Sequence, residues 1–293
     1  MEIRRTQGLM VKAFTLIAVF AALLTAATPQ LEEATQLYQH TYFERSLKEL
    51  AGLPQNDPAV QHLIGRNQYM LGEFKKASEA FEKAFAADPG NSDYAMWLGR
   101  AYGRRAETSS PFTAPGYASK THQYFERAVA LNPRNMDAMN DLLEYYLEAP
   151  GFLGGGFDKA SVLVVKIGQV DPVEGTWAQA KLAEKKKEFR SAEEHLRQAA
   201  QLAPQQIGRI IDLARFLSRQ GRYTEAEQSF QQAEKIAPDS AKLMYERAEA
   251  YIEAKRNLPT AKTLLQKYLS LPLTADDPPR SDAEKLLRKV QGG

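Results

Sequence analysis

Four histidines are the side chains of this chain best suited to acid–base or metal chemistry. They are His40, His62, His122 and His195, and they lie far apart along the sequence. A catalytic pair or a metal site needs a second histidine or a carboxylate at a fixed spacing, such as one helical turn. Glu126 follows His122 at that spacing, but a lone pair on a helix surface is usually solvated. The histidines therefore predict neither a catalytic residue nor a metal ligand.

No known catalytic or cofactor-binding motif accompanies these histidines. The sequence has no His-Glu-x-x-His, Gly-x-Ser-x-Gly or Gly-x-Gly-x-x-Gly. Glycines 154–156 are not a phosphate loop, because no Gly-Lys-Ser/Thr follows them. The absence of cysteine excludes thiol nucleophiles, disulfides and cysteine metal sites. We expect no cofactor, no metal and no enzymatic activity, with an enzyme of unrecognised type as the open alternative.

The charge balance disfavours nucleic acid as a partner. Lys and Arg total 38, Asp and Glu total 36, and the formal net charge is +2. A nearly neutral chain has no global electrostatic attraction to a phosphate backbone.

The first 27 residues have the pattern of an export signal. Arg4, Arg5 and Lys12 precede an apolar run at 13–24, and small residues end at Ala27. The run is short for a membrane-spanning helix, which needs about 20 apolar residues. The pattern predicts a cleaved signal peptide and a periplasmic or secreted protein. An uncleaved membrane anchor is the alternative.

Small and large apolar residues at helical spacing organise the remaining chain. In residues 207–238, a first helix is predicted to carry Ile210, Leu213, Ala214 and Leu217 on one face, and Gly221 breaks it. A second is predicted to carry Ala226, Phe230, Ala233 and Ile236, before Pro238. Neither helix can bury its seam alone, so each pair must pack on its neighbours.

This pattern resembles the tetratricopeptide repeat. Ala-x-x-x-Phe-x-x-Ala followed by Pro recurs, and Pro172, Pro204, Pro238 and Pro272 are about 32 to 34 residues apart, near the family period. The resemblance implies an all-α, right-handed α-solenoid of about seven helix-turn-helix repeats over residues 30–273. A closing helix is expected at 280–290, because Ala283, Leu286, Leu287 and Val290 form one apolar stripe.

Two repeats are longer than the family period, and the excess is expected in the turns near 103–120 and 149–157. Equivalent turns of stacked repeats lie side by side, so the insertions should touch and form a joint lip. Its aromatic residues are Phe112, Tyr117, Phe152 and Phe157. They are expected to pack together as a small core, with a binding lip as the alternative.

The resemblance also implies that the first helix of each repeat lines a concave groove. One row of groove positions holds His62, Met96, Asn140, Trp177, Ile211 and Tyr245. A second holds Arg66, Arg100, Glu144, Lys181, Arg215 and Glu249, and a third includes Met70, Arg104, Lys185, Arg219 and Glu253. Apolar residues beside cations suit an extended peptide with apolar anchors and carboxylates. A solvated charged face is the alternative, and Trp177 with Lys181 is the strongest candidate site.

We therefore expect a non-enzymatic scaffold that binds a peptide or protein partner in the cell envelope. The alternative is a structural subunit that assembles with copies of itself. Family members that bind chaperone tails clamp a carboxylate with Lys and Asn, and those residues are not present in the corresponding rows. Membrane attachment is expected only if the first segment is retained.

Overall fold

The computed structural model describes residues 29–291, so the predicted export signal lies outside the described residues. Within that range the chain forms fifteen α-helices and one 3₁₀ turn, with no strand. The prediction of an all-helical solenoid is confirmed. The helices are α1 (Pro29–Gln39), α2 (Phe43–Leu50), α3 (Pro58–Met70), α4 (Phe74–Ala87), α5 (Ser92–Thr108), α6 (Ala114–Leu131), α7 (Met136–Glu148), α8 (Phe157–Val170), α9 (Pro172–Lys185), α10 (Phe189–Leu202), α11 (Ile207–Arg219), α12 (Tyr223–Ile236), α13 (Ala241–Glu253), α14 (Leu258–Ser270) and α15 (Arg280–Gln291).

Consecutive helices pack as pairs, from α1 with α2 to α13 with α14. First helices of neighbouring pairs also contact one another, for example α5 with α7 and α11 with α13, so they form an inner layer. The last helix, α15, packs against α13 and α14 and buries Ala283 and Leu286 there. None of the helices in residues 29–291 combines the length and apolar character needed to cross a membrane.

The apolar seam of each pair explains its close packing. In the α11–α12 pair, Ala214, Ala233 and Phe230 are buried, as their helical spacing predicted. Small residues on one helix leave room for the aromatic ring of the other, so the two helices approach closely.

One turn geometry recurs between the two helices of most pairs. In five pairs, the second residue after the first helix has a left-handed backbone. These residues are Thr41, Gly72, Lys187, Gly221 and Lys255. The next residue donates its N–H to a carbonyl five residues earlier, for example Arg222 to Leu217 at 2.9 Å. This helix-ending motif satisfies carbonyls that the helix leaves free, and it fixes the angle at which the second helix returns.

The first length excess is mainly helical, which corrects the predicted loop. Helix α5 continues to Thr108 and α6 already begins at Ala114, so the turn is confined to residues 109–113. The extra residues lengthen both helices because few of them break a helix before Ser109.

The second excess is a compact turn at residues 149–156. Gly154 has φ +92°, and a Cβ there would lie 2.4 Å from the imidazole of His122. A Cβ on Gly155 would lie 1.8 Å from the Ala149 carbonyl oxygen. The Tyr145 hydroxyl donates to the Leu153 carbonyl at 2.7 Å. The glycines therefore allow this turn to pack directly on α6 and α7.

The two ends of the solenoid touch. The chain between α14 and α15 reaches the first helix pair, where the Ala275 N–H donates to the Gln39 carbonyl at 3.1 Å. Ala275 also packs against the apolar cluster of α1, α2 and α3, which includes Tyr38 and Leu63. The array is therefore closed on itself, which the repeat pattern did not predict.

Candidate binding groove

The inner layer of first helices encloses a cavity of about 460 Å³ in the C-terminal half. Six residues that the sequence placed in the groove border it, namely Glu144, Trp177, Lys181, Lys185, Arg215 and Arg219. The other lining side chains combine carboxylates with leucines: Leu147, Glu148, Glu184, Leu196 and Asp212. The structure therefore brings together predicted positions from α7, α9 and α11 at one site.

Trp177 forms the apolar wall of this cavity. Its ring packs against the clusters that contain Leu147 and Leu196. The guanidinium of Arg209 lies 5.0 Å from the ring centroid, and the ammonium of Lys181 lies 5.8 Å from it. The Trp177 Nε1 is buried and has no hydrogen-bond partner within residues 29–291. A buried indole N–H usually finds an acceptor, so this donor is suited to a ligand carbonyl or carboxylate.

Most cations around the cavity are paired with carboxylates of a neighbouring repeat. Arg219 lies 2.8 Å from Glu184, and Lys185 lies 2.6 Å from Glu148. Arg215 pairs with Glu246 and lies 2.8 Å from Glu249. These pairs hold neighbouring first helices together. The individual arginines looked like ligand-binding groups in the sequence, because their partners lie more than 30 residues away.

Lys181 differs from these cations, because it makes no ion pair with any of the described residues. Its ammonium contacts the face of Trp177 at the edge of the cavity. Asp212 also borders the cavity, and burial raises its pKa, while the charges of Arg209, 3.0 Å away, and of Lys242 and Lys181 oppose the rise. A cation without an ion pair beside an unsatisfied indole N–H gives the site one charged and one neutral donor.

The N-terminal half of the groove holds an aromatic–cation cluster. The Arg66 guanidinium lies 4.5 Å from the Tyr38 ring centroid and 4.9 Å from that of Trp97. Burial and the charge of Arg66 lower the pKa of His62 to about 3, so this histidine is neutral at physiological pH. Arg100 forms a two-point contact with Asp141, whose pKa burial raises to about 6. The predicted residues His62, Arg66 and Arg100 therefore form a packed layer.

Some predicted groove residues do not face the groove. Met96 and Ile211 are 2% and 1% exposed, and Tyr245 is also buried. Each lies one helical step from the seam, but the first helices pack so closely that this step still falls between neighbouring helices. The assignment of these three side chains to the groove surface is corrected accordingly. Arg104 is partly exposed, pairs with Glu107 and covers the ring of Phe74.

The predicted lip is divided between packed and exposed aromatic side chains. Phe112 and Phe152 are 95% and 83% exposed, so the expected small core does not form between them. Tyr117 instead stacks on Tyr102, and Phe157 is partly covered by Lys186. The two insertions do border one cavity of about 370 Å³, which is lined by Gly103, Arg104, Ala106 and Glu107 of α5 and by Ala149, Pro150 and Leu153.

His122 has a structural environment. Its ring stacks on Tyr145, and its Nε2 lies 3.0 Å from Glu126. In residues 29–291 no group of three or more His, Asp or Glu side chains is arranged to hold a metal ion.

Comparison with known protein families identifies the repeat. Family models described as tetratricopeptide repeat match residues 62–105, 183–233 and 217–290, which together cover about half of the chain. A curated relative, the protein CTR9 homolog of Arabidopsis thaliana, is 28% identical over 159 residues. That match covers 54% of this chain but only 14% of the relative.

Solved structures share the architecture at low sequence identity. A tetratricopeptide repeat protein from Parabacteroides merdae has a TM-score of 0.56 at 14% identity, covering 89% of this chain and 97% of that chain. A thermophilic repeat protein of Thermus thermophilus has a TM-score of 0.51 at 23% identity, covering 69% and 100%. The human IFIT1 dimer, solved with PPP-AAAA, has a TM-score of 0.51 at 18% identity, covering 90% and 64%. At these identities the likeness establishes the fold alone.

Proposed function

The chain belongs to the tetratricopeptide repeat family, and from this premise we propose that it is a non-enzymatic scaffold that holds an extended segment of a partner protein in its inner groove. Scaffolding of proteins is the general role of such repeats. One observation carries the proposal for this chain. Trp177, whose indole N–H has no hydrogen-bond partner among the described residues, and Lys181 both line the 460 Å³ cavity.

The chemistry of this wall defines the partner segment. An apolar side chain of the partner would pack on Trp177 and Leu147, where water is displaced from apolar surface. A backbone carbonyl or a carboxylate would accept from the indole Nε1, and a carboxylate would also meet Lys181. The cross-repeat ion pairs of Arg215 and Arg219 keep the surrounding wall rigid, so little ordering cost is left for binding.

We also propose that this scaffold acts in the cell envelope. The support for this location is the basic, apolar and small-residue succession in residues 1–27. The partner would then be another exported or envelope protein.

A structural subunit that assembles with its own copies is the second candidate. The rings of Phe112 and Phe152 favour it, since both are exposed in the turns of neighbouring repeats and are available for contact with another copy. Molar mass measured by light scattering over a wide concentration range distinguishes this candidate, because self-assembly makes the mass rise with concentration.

Affinity capture tests the groove. Residues 29–291 serve as bait in an envelope extract, together with Trp177→Ala and Lys181→Glu variants. Lys166→Glu, on the exposed side of α8, is the matched charge control. We expect one stoichiometric partner with wild type and control, and at least tenfold less with either groove variant. Equal capture by all four proteins would show that the partner binds elsewhere.

Intrinsic fluorescence gives an independent readout. The chain has two tryptophans, so Trp97→Phe leaves Trp177 as the single indole reporter. We expect a peptide from the captured partner to shift the emission of this variant, because an acceptor and an apolar group replace water at the ring. An unchanged spectrum at saturating peptide would contradict the assignment of Trp177.

A further inference from the structure

Residues 273–279, which we define as the strap, join the last repeat to the first. The strap is built firmly on the last repeat. Leu273 is buried there, and the Tyr268 hydroxyl donates to the Pro278 carbonyl. Asp277 accepts from the Thr274 N–H at 2.8 Å and from its hydroxyl at 3.0 Å. The strap therefore keeps its shape through contacts that do not involve the first repeat.

The attachment to the first helix pair is much smaller. It centres on Ala275, whose N–H donates to Gln39 at the end of α1 and whose methyl group packs on the α1–α3 cluster. A segment that is rigid on one side and lightly held on the other can separate from the weaker side without unfolding.

Two cavities border the strap, so it does not fill the space in which it lies. A cavity of about 310 Å³ lies between the strap and Phe43, Met70 and Leu71. A larger one, of about 650 Å³, is bordered by Arg104 of α5, Lys242 of α13 and Asp276 of the strap. These cavities leave room for a bulkier segment at the same place.

The polar groups at this end of the groove favour an acidic segment. Asp276 makes no ion pair among the described residues, and it borders the cavity that Lys242 also lines without an ion pair. Other charged side chains at this cavity are paired: Arg104 with Glu107, Glu246 with Arg215, and Asp282 with Lys285. The pKa of the Tyr38 hydroxyl is raised, and burial is the main cause. The charge of Arg66 opposes this rise, and the charge of Asp276 adds to it. In the described part of the chain, neither that hydroxyl nor the buried Arg66 Nε has a hydrogen-bond partner. The strap thus places a carboxylate near donors that are not satisfied.

We propose that the end of α1, with the adjoining ends of α3 and α5, is a second binding site for extended acidic, proline-containing segments, and that the strap is its internal occupant. A partner segment of this chemistry displaces Ala275 and opens the closed array. The inference rests on the proposed function only in assuming that a protein segment is the natural ligand.

The strap sequence itself supplies the probe. A fluorescent peptide of residues 271–280, Leu-Pro-Leu-Thr-Ala-Asp-Asp-Pro-Pro-Arg, is titrated against residues 29–291 and followed by anisotropy. The Ala275→Lys variant should release the strap, because a charged side chain cannot enter the apolar cluster. Ala275→Pro is a milder second variant, because it removes the N–H that reaches Gln39. Ala237→Lys, at the partly buried position that follows α12, is the matched control.

We expect the peptide to bind both Ala275 variants at least tenfold more tightly than wild type or the Ala237→Lys control. A peptide with Asn in place of Asp276 should bind the Ala275 variants at least fivefold more weakly. Equal peptide affinity for folded wild-type and Ala275-variant proteins would overturn the internal-occupant proposal. Equal affinity of the two peptides would overturn the acidic character of the site.

Distance measurements report the opening directly. The chain has no cysteine, so nitroxide labels at Glu33→Cys and Arg288→Cys are the sole labels attached. Double electron–electron resonance measures the distance between the two labels. This distance should be short and well defined with the wild-type strap, and longer and more broadly distributed in Ala275→Lys or after the strap peptide is added. A distribution that is already long in wild type would show that the strap does not occupy the site.

The Trp177→Ala change separates this proposal from the proposed function. Introduced with Ala275→Lys, it should leave the affinity for the strap peptide unchanged. Loss of peptide binding in that double variant would place the peptide in the Trp177 groove and overturn the second site. Failure of the envelope capture experiment would not affect either result.

Discussion

Gly99 of α5 and the ring of Phe125 of α6 fit together with no space for a side chain between them. A Cβ on Gly99 would lie 2.6 Å from Cδ1 and Cε1 of that ring. The same relationship recurs one repeat earlier between Gly65 and Phe81, at 2.5 Å. A small residue facing an aromatic ring is therefore what sets the spacing of the two helices in these pairs.

Gly99→Ala should reduce the free energy of unfolding by about 1–3 kcal/mol, because the new methyl group overpacks the seam. Gly103→Ala on the same helix is the control. Its Cβ would lie 3.6 Å from Thr121, so the gain in helix propensity should stabilise the protein by about 0.5–1 kcal/mol. Urea denaturation measures both, and equal effects would contradict the role given to the ring contact.

Two phenylalanines that differ in exposure should lose different amounts of unfolding free energy when each is replaced by alanine. Phe230→Ala removes a ring that is 1% exposed and should cost about 3–5 kcal/mol of unfolding free energy. Phe112→Ala removes an exposed ring and should change that free energy by less than about 0.5 kcal/mol. Thermal and urea denaturation of both variants test this difference. A small effect of Phe230→Ala would mean that Phe230 does not lie on the buried face of α12.

The pair of Arg209 and Glu174 links α11 to α9 in a largely buried position, with an N–O distance of 2.5 Å. Arg209→Met should cost about 3–5 kcal/mol, because it leaves a carboxylate buried without its cationic partner. Arg190→Met breaks the exposed pair with Glu194 and should cost less than about 1 kcal/mol. Similar losses in the two variants, measured by denaturation at one salt concentration, would contradict this account.

The environment of His62 predicts a pH dependence of stability. The pKa is 6.5 in the unfolded chain and about 3 in the folded one, where burial and Arg66 disfavour the charged ring. Below pH 6.5 the unfolded state therefore binds a proton that the folded state excludes, and stability falls as the pH falls towards 3. Relative to wild type, His62→Phe should gain about 2 kcal/mol between pH 7.5 and pH 5. A difference between the two proteins that does not change with pH would contradict this environment.

The repeat pattern predicted the parts of the fold that depend on local contacts. Ala226, Phe230 and Ala233 are buried because helical spacing alone places them on one face, whatever the rest of the chain does. The boundaries of the long third repeat were predicted less well. Residues 103–108 and 114–120 are helical because their neighbours in the pair extend the packing surface, and the spacing of prolines carries no information about that.

The candidate groove was predicted only in part, since a helical phase has an uncertainty of about one position. Trp177 and Ile211 were predicted at equivalent groove positions, but Trp177 lines the cavity and Ile211 is buried between helices. The partners of Arg215 and Arg219 lie in the neighbouring repeat, so their engagement in ion pairs could not be read from their own segment. The contact of Ala275 with Gln39 depends on the accumulated twist of every repeat between them.

That last contact alters how unfolding can begin. In a linear stack an end unit has a single neighbour and therefore frays first, with the loss spreading inward. Here α1 packs on α2 and α3 and also contacts Ala275 of the strap, so the first repeat has a neighbour on its outer side as well. Amide hydrogen exchange in α1 is then expected to be slower than at the free end of a linear stack, and to become faster when Ala275→Lys releases the strap.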